Sequence, residues 1–349
     1  MIMGAAASTN QLVHLVGSVP LASAAEVFRA TSEVLGAHLP RIPDGETGER
    51  TSWVRFQVAL LRANPLIEQK PAEGAGSTGY QPPMFQLRAG ADPAELEFPR
   101  LGYADSALAS YATFAELKAA GVIRPETRFQ VSLPTPRGPL TLYVSPRDIE
   151  ALLPAYRAAL MRELAEVCAA VPHTELAVQW DVAPEIGLLE GVFPAPFEGA
   201  PQTVLAQALV TLGDAVPEMV PMGYHLCYGD FGHQHFVEPR DTAVLVGLAN
   251  RVAAGLSRPL NWVHLPVPRD RDDADYFAPL EDLRLAPDTE LYLGLVHSTD
   301  GLAGSRRRLA AASKFRTEFG IGTECGFGRR DPATIPALLE LHRDLIETR

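Results

Sequence analysis

Short apolar runs recur along this chain, each followed by a polar, glycine or proline break and then by a stretch with helical spacing. Eight runs stand out: 11–19 (QLVHLVGSV), 38–46 (HLPRIPDGE), 128–136 (RFQVSLPTP), 175–183 (ELAVQWDVA), 222–229 (MGYHLCYG), 261–268 (NWVHLPVP), 290–299 (ELYLGLVHST) and 319–328 (FGIGTECGFG). Runs of this length bounded by turn residues predict buried strands, and the stretches between them predict amphipathic helices. Strands alternating with helices imply a parallel sheet in an α/β fold, and eight units imply a (β/α)8 TIM barrel. A doubly wound open sheet is the runner-up, but no GxGxxG follows the first run. No linker divides the chain, so residues 1–349 read as one catalytic domain. Residues 50–127 separate the second and third strands. They hold an extra helix, SWVRFQVALLRANP, and a Gly/Pro-rich loop from Pro71 to Pro99. A connection of that length predicts an insertion serving as a lid or an interface.

Composition narrows the function classes. The formal net charge of -12 and pI near 5.3 argue against a nucleic-acid surface. The one basic triplet, Arg306-Arg307-Arg308, opens a helix and reads as a solvated face or an anion contact, not as a nucleic-acid tract. No apolar run is long enough to span a bilayer, and the first residues lack a signal-peptide pattern. Three cysteines, odd in number and far apart, do not form a disulfide framework. These features predict a cytoplasmic protein with small-molecule substrates, no nucleic-acid or membrane partner, and an oligomeric state left open, homo-oligomer included.

The polar residues gather at one end of the predicted strands, which is where reactive groups stand in a barrel. Those ends carry Gly17-Ser18, Asp44 and Glu46, Gln179 and Asp181, His225 and Cys227, His264, His297, and Glu324-Cys325. Within a strand, residues two apart share a face, so His225 and Cys227 point to one side. A histidine with two thiolates is a soft donor set suited to zinc, and three protein ligands with one open position is a catalytic arrangement. Taken singly, these cysteines and histidines could equally be buried core residues. Cys168, on a helix, reads as exactly that kind of small hydrophobe.

The chain resembles the C-terminal catalytic barrel of cobalamin-independent methionine synthase and its single-barrel relatives. The resemblance rests on GSVP, DGETGER, VQWD, HLCY, VHS and TECGFGRR, which follow one another in family order. It implies a Zn2+ ion that activates a thiol such as homocysteine for attack on a methyl group. It also implies residue roles: His225, Cys227 and Cys325 as zinc ligands, Glu46 and Asp181 as holders of a substrate amino group, and Ser18 as its carboxylate contact. His297 becomes the proton donor to the leaving group, with Gln179 also in the substrate site. The family's fourth ligand is a glutamate on the sixth strand. WVHLPV stands there instead, so His264 takes that place, with Glu238, His233 and His235 as alternatives. The family's folate-stacking tryptophan is missing from LPTPRGPLTLYVS. A methyltetrahydrofolate-type donor therefore lacks its usual platform.

Three functions follow as expectations. The first is a zinc-dependent methyltransferase, or more broadly an alkyltransferase, acting on a thiol. The second keeps the metal chemistry with other substrates, as in an epoxyalkane–coenzyme M transferase or a demethylase with another acceptor. The third is a metal-binding protein without turnover.

Overall fold

The computed structural model describes residues 9–71, 83–229 and 234–349. Its main sheet has seven parallel strands. In spatial order they are β1 (Arg41–Pro43), β4 (Arg128–Pro134), β5 (Leu176–Val182), β6 (Met222–Leu226), β7 (Trp262–Pro266), β8 (Glu290–Val296) and β9 (Gly320–Thr323). A separate antiparallel pair, β2 (Ile67–Gln69) and β3 (Phe85–Leu87), lies in the insertion.

The first predicted strand takes a different form. Residues 12–19 span the gap between the two outer strands through single bridges, Val13 to Ile321 of β9 and Ser18 to Gly45 beside β1. The reason lies in side-chain competition for its carbonyls. Gln130 Nε2 donates to the Leu15 and Val16 oxygens at 3.0 Å, Gln179 Nε2 to Val16 O at 2.6 Å, and Ser132 Oγ to the same oxygen. Backbone groups satisfied from the sheet interior have no need of a regular ladder.

The helices are α1 (Ala24–Leu35), α2 (Gln57–Ala63), α3 (Tyr103–Ala119), α4 (Arg137–Tyr143), α5 (Ile149–Ala170), α6 (Pro184–Leu189), α7 (Pro201–Asp214), α8 (Ala243–Gly255), α9 (Ala274–Phe277), α10 (Gly301–Ala312) and α11 (Ile335–Glu347). α11 packs on α1, α1 on α3, and α3 on α5, while α7 packs on α8 and α10 on α11. A parallel curled sheet inside such a helix layer is TIM-barrel-like. No described helix is long and apolar enough to cross a membrane.

The contacts of α3 place it in that outer layer, so the inserted part is shorter than 50–127 and runs from about residue 48 to 102. Glu163 on α5 ties this part down by accepting the N–H groups of Leu101, Gly102 and Ala104 at the start of α3. A buried carboxylate there satisfies orphan donors and meets the positive end of the helix dipole. The predicted helix SWVRFQVALLRANP is broken. Its first half is 3-10 turn kinked at Ser52 and Trp53, and regular helix begins only at Gln57. Part of the Gly/Pro-rich loop, residues 72–82, lies outside the described residues.

Register positions the site. Asp181, His225 and His264 are lateral neighbours across β5, β6 and β7. Below them Trp262 fills the interior with Leu12, Ala177 and Tyr292, and the Arg41 guanidinium lies 3.8 Å from its ring centroid. Gly223 makes this possible, since a Cβ there would come within 2.2 Å of the Trp262 ring.

Candidate metal centre

The upper end of the sheet opens into a cavity of about 440 Å³. His225, Cys227 and Cys325 line it, and their donor atoms all lie within 4.8 Å of one another. The two Sγ atoms are 3.8 Å apart, and neither cysteine is in a disulfide. That is far beyond a disulfide bond. It matches the sulfur–sulfur edge of a tetrahedral zinc site, about 3.8 Å for Zn–S bonds near 2.3 Å. The Gly229 N–H points at Cys227 Sγ at 3.3 Å, as suits a thiolate.

The geometry of the histidine agrees with the same donor group. His225 Nδ1 lies 2.8 Å from His264 Nδ1, while His225 Nε2 is buried and unpartnered. An orphaned buried nitrogen costs about 1–3 kcal/mol unless an ion takes it. Burial lowers the pKa of both imidazoles, His264 to about 3, so both are neutral. For Nε2 to offer a lone pair, His225 must carry its proton on Nδ1 and donate it to His264. Metal-bound histidines commonly donate their second N–H in this way. The donor set therefore fits zinc.

His264 Nδ1 is engaged with His225, and the residue is outside the three-residue group, which differs from its predicted place as fourth ligand. The alternatives fare no better. Burial acts against a charge on His235, but Glu324 at 2.9 Å and Glu238 at 3.2 Å outweigh it and raise the ring to about 9. Both ring nitrogens of His235 thus face carboxylates, and it is outside the three-residue donor group. Glu238 is largely exposed, and His233 lies outside the described residues. Among the described residues, three side chains form the donor group, and its open side faces the cavity. His264→Ala is expected to weaken zinc binding by about 10–100-fold, the usual worth of an outer partner. Glu238→Ala should leave it within about twofold, since its carboxylate is solvated. Competition against a chelator measures both, and the reverse order would move the ligand into the 230–238 loop.

Ser18, Glu46 and Asp181 line the same cavity. Ser18 is pinned by the loop after Cys325: its carbonyl accepts from Phe327 N at 2.7 Å and its Oγ from Gly328 N at 3.2 Å. Gly326 and Gly328 permit that approach, because a Cβ at either would come within 2.8 Å of the Ser18 hydroxyl. Glu46 and Asp181 are both buried, and burial pushes each carboxyl far above its usual range, with Asp181's charge adding to the effect on Glu46. Two carboxylates so placed cannot both ionise cheaply without a cation between them. Gln179 does not line the cavity. It lies beneath, donating to Asp181 Oδ1 at 2.8 Å and facing His14 at 2.7 Å, so it orients Asp181 and does not meet substrate. Its role differs from the predicted one because Val16 and Asp181 engage its amide nitrogen and His14 its oxygen.

His297 is not among the cavity-lining residues either. Its Nε2–H donates to Val267 O at 2.8 Å, its Nδ1 faces Glu324 at 3.8 Å, and burial lowers its pKa. The structure engages both of its ring nitrogens outside the cavity lining, Nε2 with Val267 and Nδ1 toward Glu324.

Trp53 was not foreseen. It enters the cavity from the insertion, its ring end against Gly138 of α4, and its indole N–H is near enough to Asp181 to favour that charge. Its backbone is left-handed at φ 52, and Glu46 has φ 49. These are the two non-glycine residues with positive φ among the described residues, and both line the cavity. Strain of that kind concentrates at functional sites.

No family model matches the chain, and no curated protein is similar to it in sequence. Solved structures do match. A B12-independent methionine synthase from Shewanella sp. W3-18-1, in complex with selenomethionine, superposes with a TM-score of 0.62 at 14% identity, covering 98% of each chain. A candidate vitamin-B12-independent methionine synthase from Listeria monocytogenes gives 0.53 at 15% identity, over 92% of this chain and 85% of that one. At such identity the likeness establishes the fold.

Proposed function

We propose that this protein is a zinc-dependent transferase that alkylates the sulfur of an amino-acid thiol of the homocysteine type. The observation that carries the reading is the convergence, in one cavity, of a His-Cys-Cys donor group with a buried carboxylate pair. The neighbour crystallised with selenomethionine, an amino acid bearing a methylated chalcogen, supports it by analogy.

Each part has a task. His225, Cys227 and Cys325 would hold zinc, which when bound supplies acidification of the substrate thiol at neutral pH. Two thiolate ligands leave little Lewis acidity for activating water, so the residues favour a sulfur nucleophile. Glu46 and Asp181 accept the ammonium group of the substrate and discharge their mutual repulsion in doing so. Ser18, fixed between β1 and the loop after Cys325, receives the carboxylate end. Held at three points, the substrate sulfur is confined to the open side of the donor group, which turns a bimolecular encounter into a local one.

The testing experiment incubates zinc-loaded protein with homocysteine and a panel of alkyl donors, with product mass as readout. An alkylated amino-acid thiol supports the proposal. Formation of hydrolysed donor without any thioether would replace it with a hydrolase.

A further inference from the structure

The cavity has a second wall, opposite in character to the carboxylates. Trp53, Phe193 and Phe236 line it together with Tyr143. Phe193 and Phe236 meet edge to face, ring centroids 5.1 Å apart at 72°. Both rings are seated over glycines: a Cβ at Gly187 would come within 2.5 Å of the Phe193 ring, and one at Gly229 within 2.5 Å of Phe236. The sequence keeps those two positions bare, and the rings sit in the space left. Aromatic faces attract cations that shed little hydration, quaternary ammonium and sulfonium above all. The two carboxylates in the lining are buried, whereas its two arginines, Arg55 and Arg329, are solvent-exposed.

Taking the thiol reading above as its basis, we propose that the alkyl donor is a methylated onium compound, a sulfonium or quaternary ammonium, held against the Trp53–Phe193–Phe236 wall. The transfer balances without an acid. The substrate thiolate sulfur attacks a methyl carbon, the S–C bond forms, and the bond from that carbon to the onium heteroatom breaks. The electron pair returns to the heteroatom, which leaves as a neutral thioether or tertiary amine. A thiolate meeting a cation annihilates charge, and a largely apolar cavity favours that over a step that expels an anion. His297, the one imidazole predicted to protonate a leaving group, is outside the lining, and this chemistry does not call on it.

Two measurements on the zinc-loaded protein test the proposal. Calorimetry compares choline with its uncharged tert-butyl isostere, and the charge should strengthen binding by about tenfold. Phe193→Leu combined with Phe236→Leu keeps apolar volume but removes the π-faces, so the preference should collapse toward equality while zinc content stays unchanged. Equal binding of choline and its isostere by the unmodified protein would overturn the proposal. In the second, trimethylsulfonium and homocysteine should yield methionine and dimethyl sulfide in equal amounts. Transfer from methyltetrahydrofolate with none from trimethylsulfonium would overturn the onium donor while leaving the thiol reading intact. Failure of homocysteine to bind would instead remove the thiol reading, with the choline comparison still deciding the ligand class of the wall.

Discussion

Cys227→Ser and Cys325→Ser should each abolish stoichiometric zinc binding and with it all alkyl transfer. A serine hydroxyl stays protonated where a thiol ionises, so either change removes one of two anionic donors and leaves a site that cannot be completed by its neighbours. The loss should exceed the ~10–100-fold expected for His264→Ala, since a donor in contact with the ion outweighs an outer partner. Cys168→Ser is the control: that thiol sits on α5, and burial raises it to about 11, far from metal chemistry. Metal analysis of the three variants should give full zinc only in the last. Full zinc in either of the other two would remove His-Cys-Cys coordination from the account.

Asp181→Asn carries the second large effect, and it runs in two directions. Affinity for homocysteine should fall by about 30- to 1,000-fold, the cost of removing one side of a buried charge pair. Affinity for 4-mercaptobutyrate, which lacks the amino group, should change little. Meanwhile the ligand-free variant should melt higher than the parent. The sign follows from linkage. A carboxyl whose pKa is raised on folding binds more protons folded than unfolded, so stability is lost as pH rises from the ordinary carboxylate range toward the raised value. Asparagine removes that loss at neutral pH. The same pair makes homocysteine binding strengthen as pH rises through the raised range, because the ammonium needs ionised partners. Calorimetry of both thiols across pH, with thermal melts of the free protein, checks each arm. Equal losses for the two thiols would mean that Asp181 shapes the cavity without holding an amine.

Much of this was legible in the sequence because strand periodicity and short motifs report local chemistry. β4 to β9 fall where the apolar runs predict them, and the two-residue spacing of His225 and Cys227 is enough to put both donors in one cavity. The first strand was misread for a non-local reason. Its composition is strand-like, but Gln130, Ser132 and Gln179 take its carbonyls, and nothing near residue 15 announces that. The same holds for His264, whose strand-end position predicts a ligand while its Nδ1 meets His225 Nδ1 and the residue is outside the three-residue donor group. Trp53 illustrates the limit most clearly. An apolar residue in a helical pattern gives no hint that its backbone will turn left-handed and carry its indole across to Asp181. Side chains reaching from an insertion into a site escape any reading based on period alone.

The most direct test of the whole account is the zinc K-edge absorption spectrum of the loaded protein before and after homocysteine is added. The account predicts two sulfur scatterers at about 2.3 Å in the free protein. It predicts a third when the substrate thiol fills the position facing the cavity, accompanied by release of about one proton per site. A sulfur count that stays at two under saturating homocysteine would show that the metal does not engage the thiol, and would contradict the account at its centre.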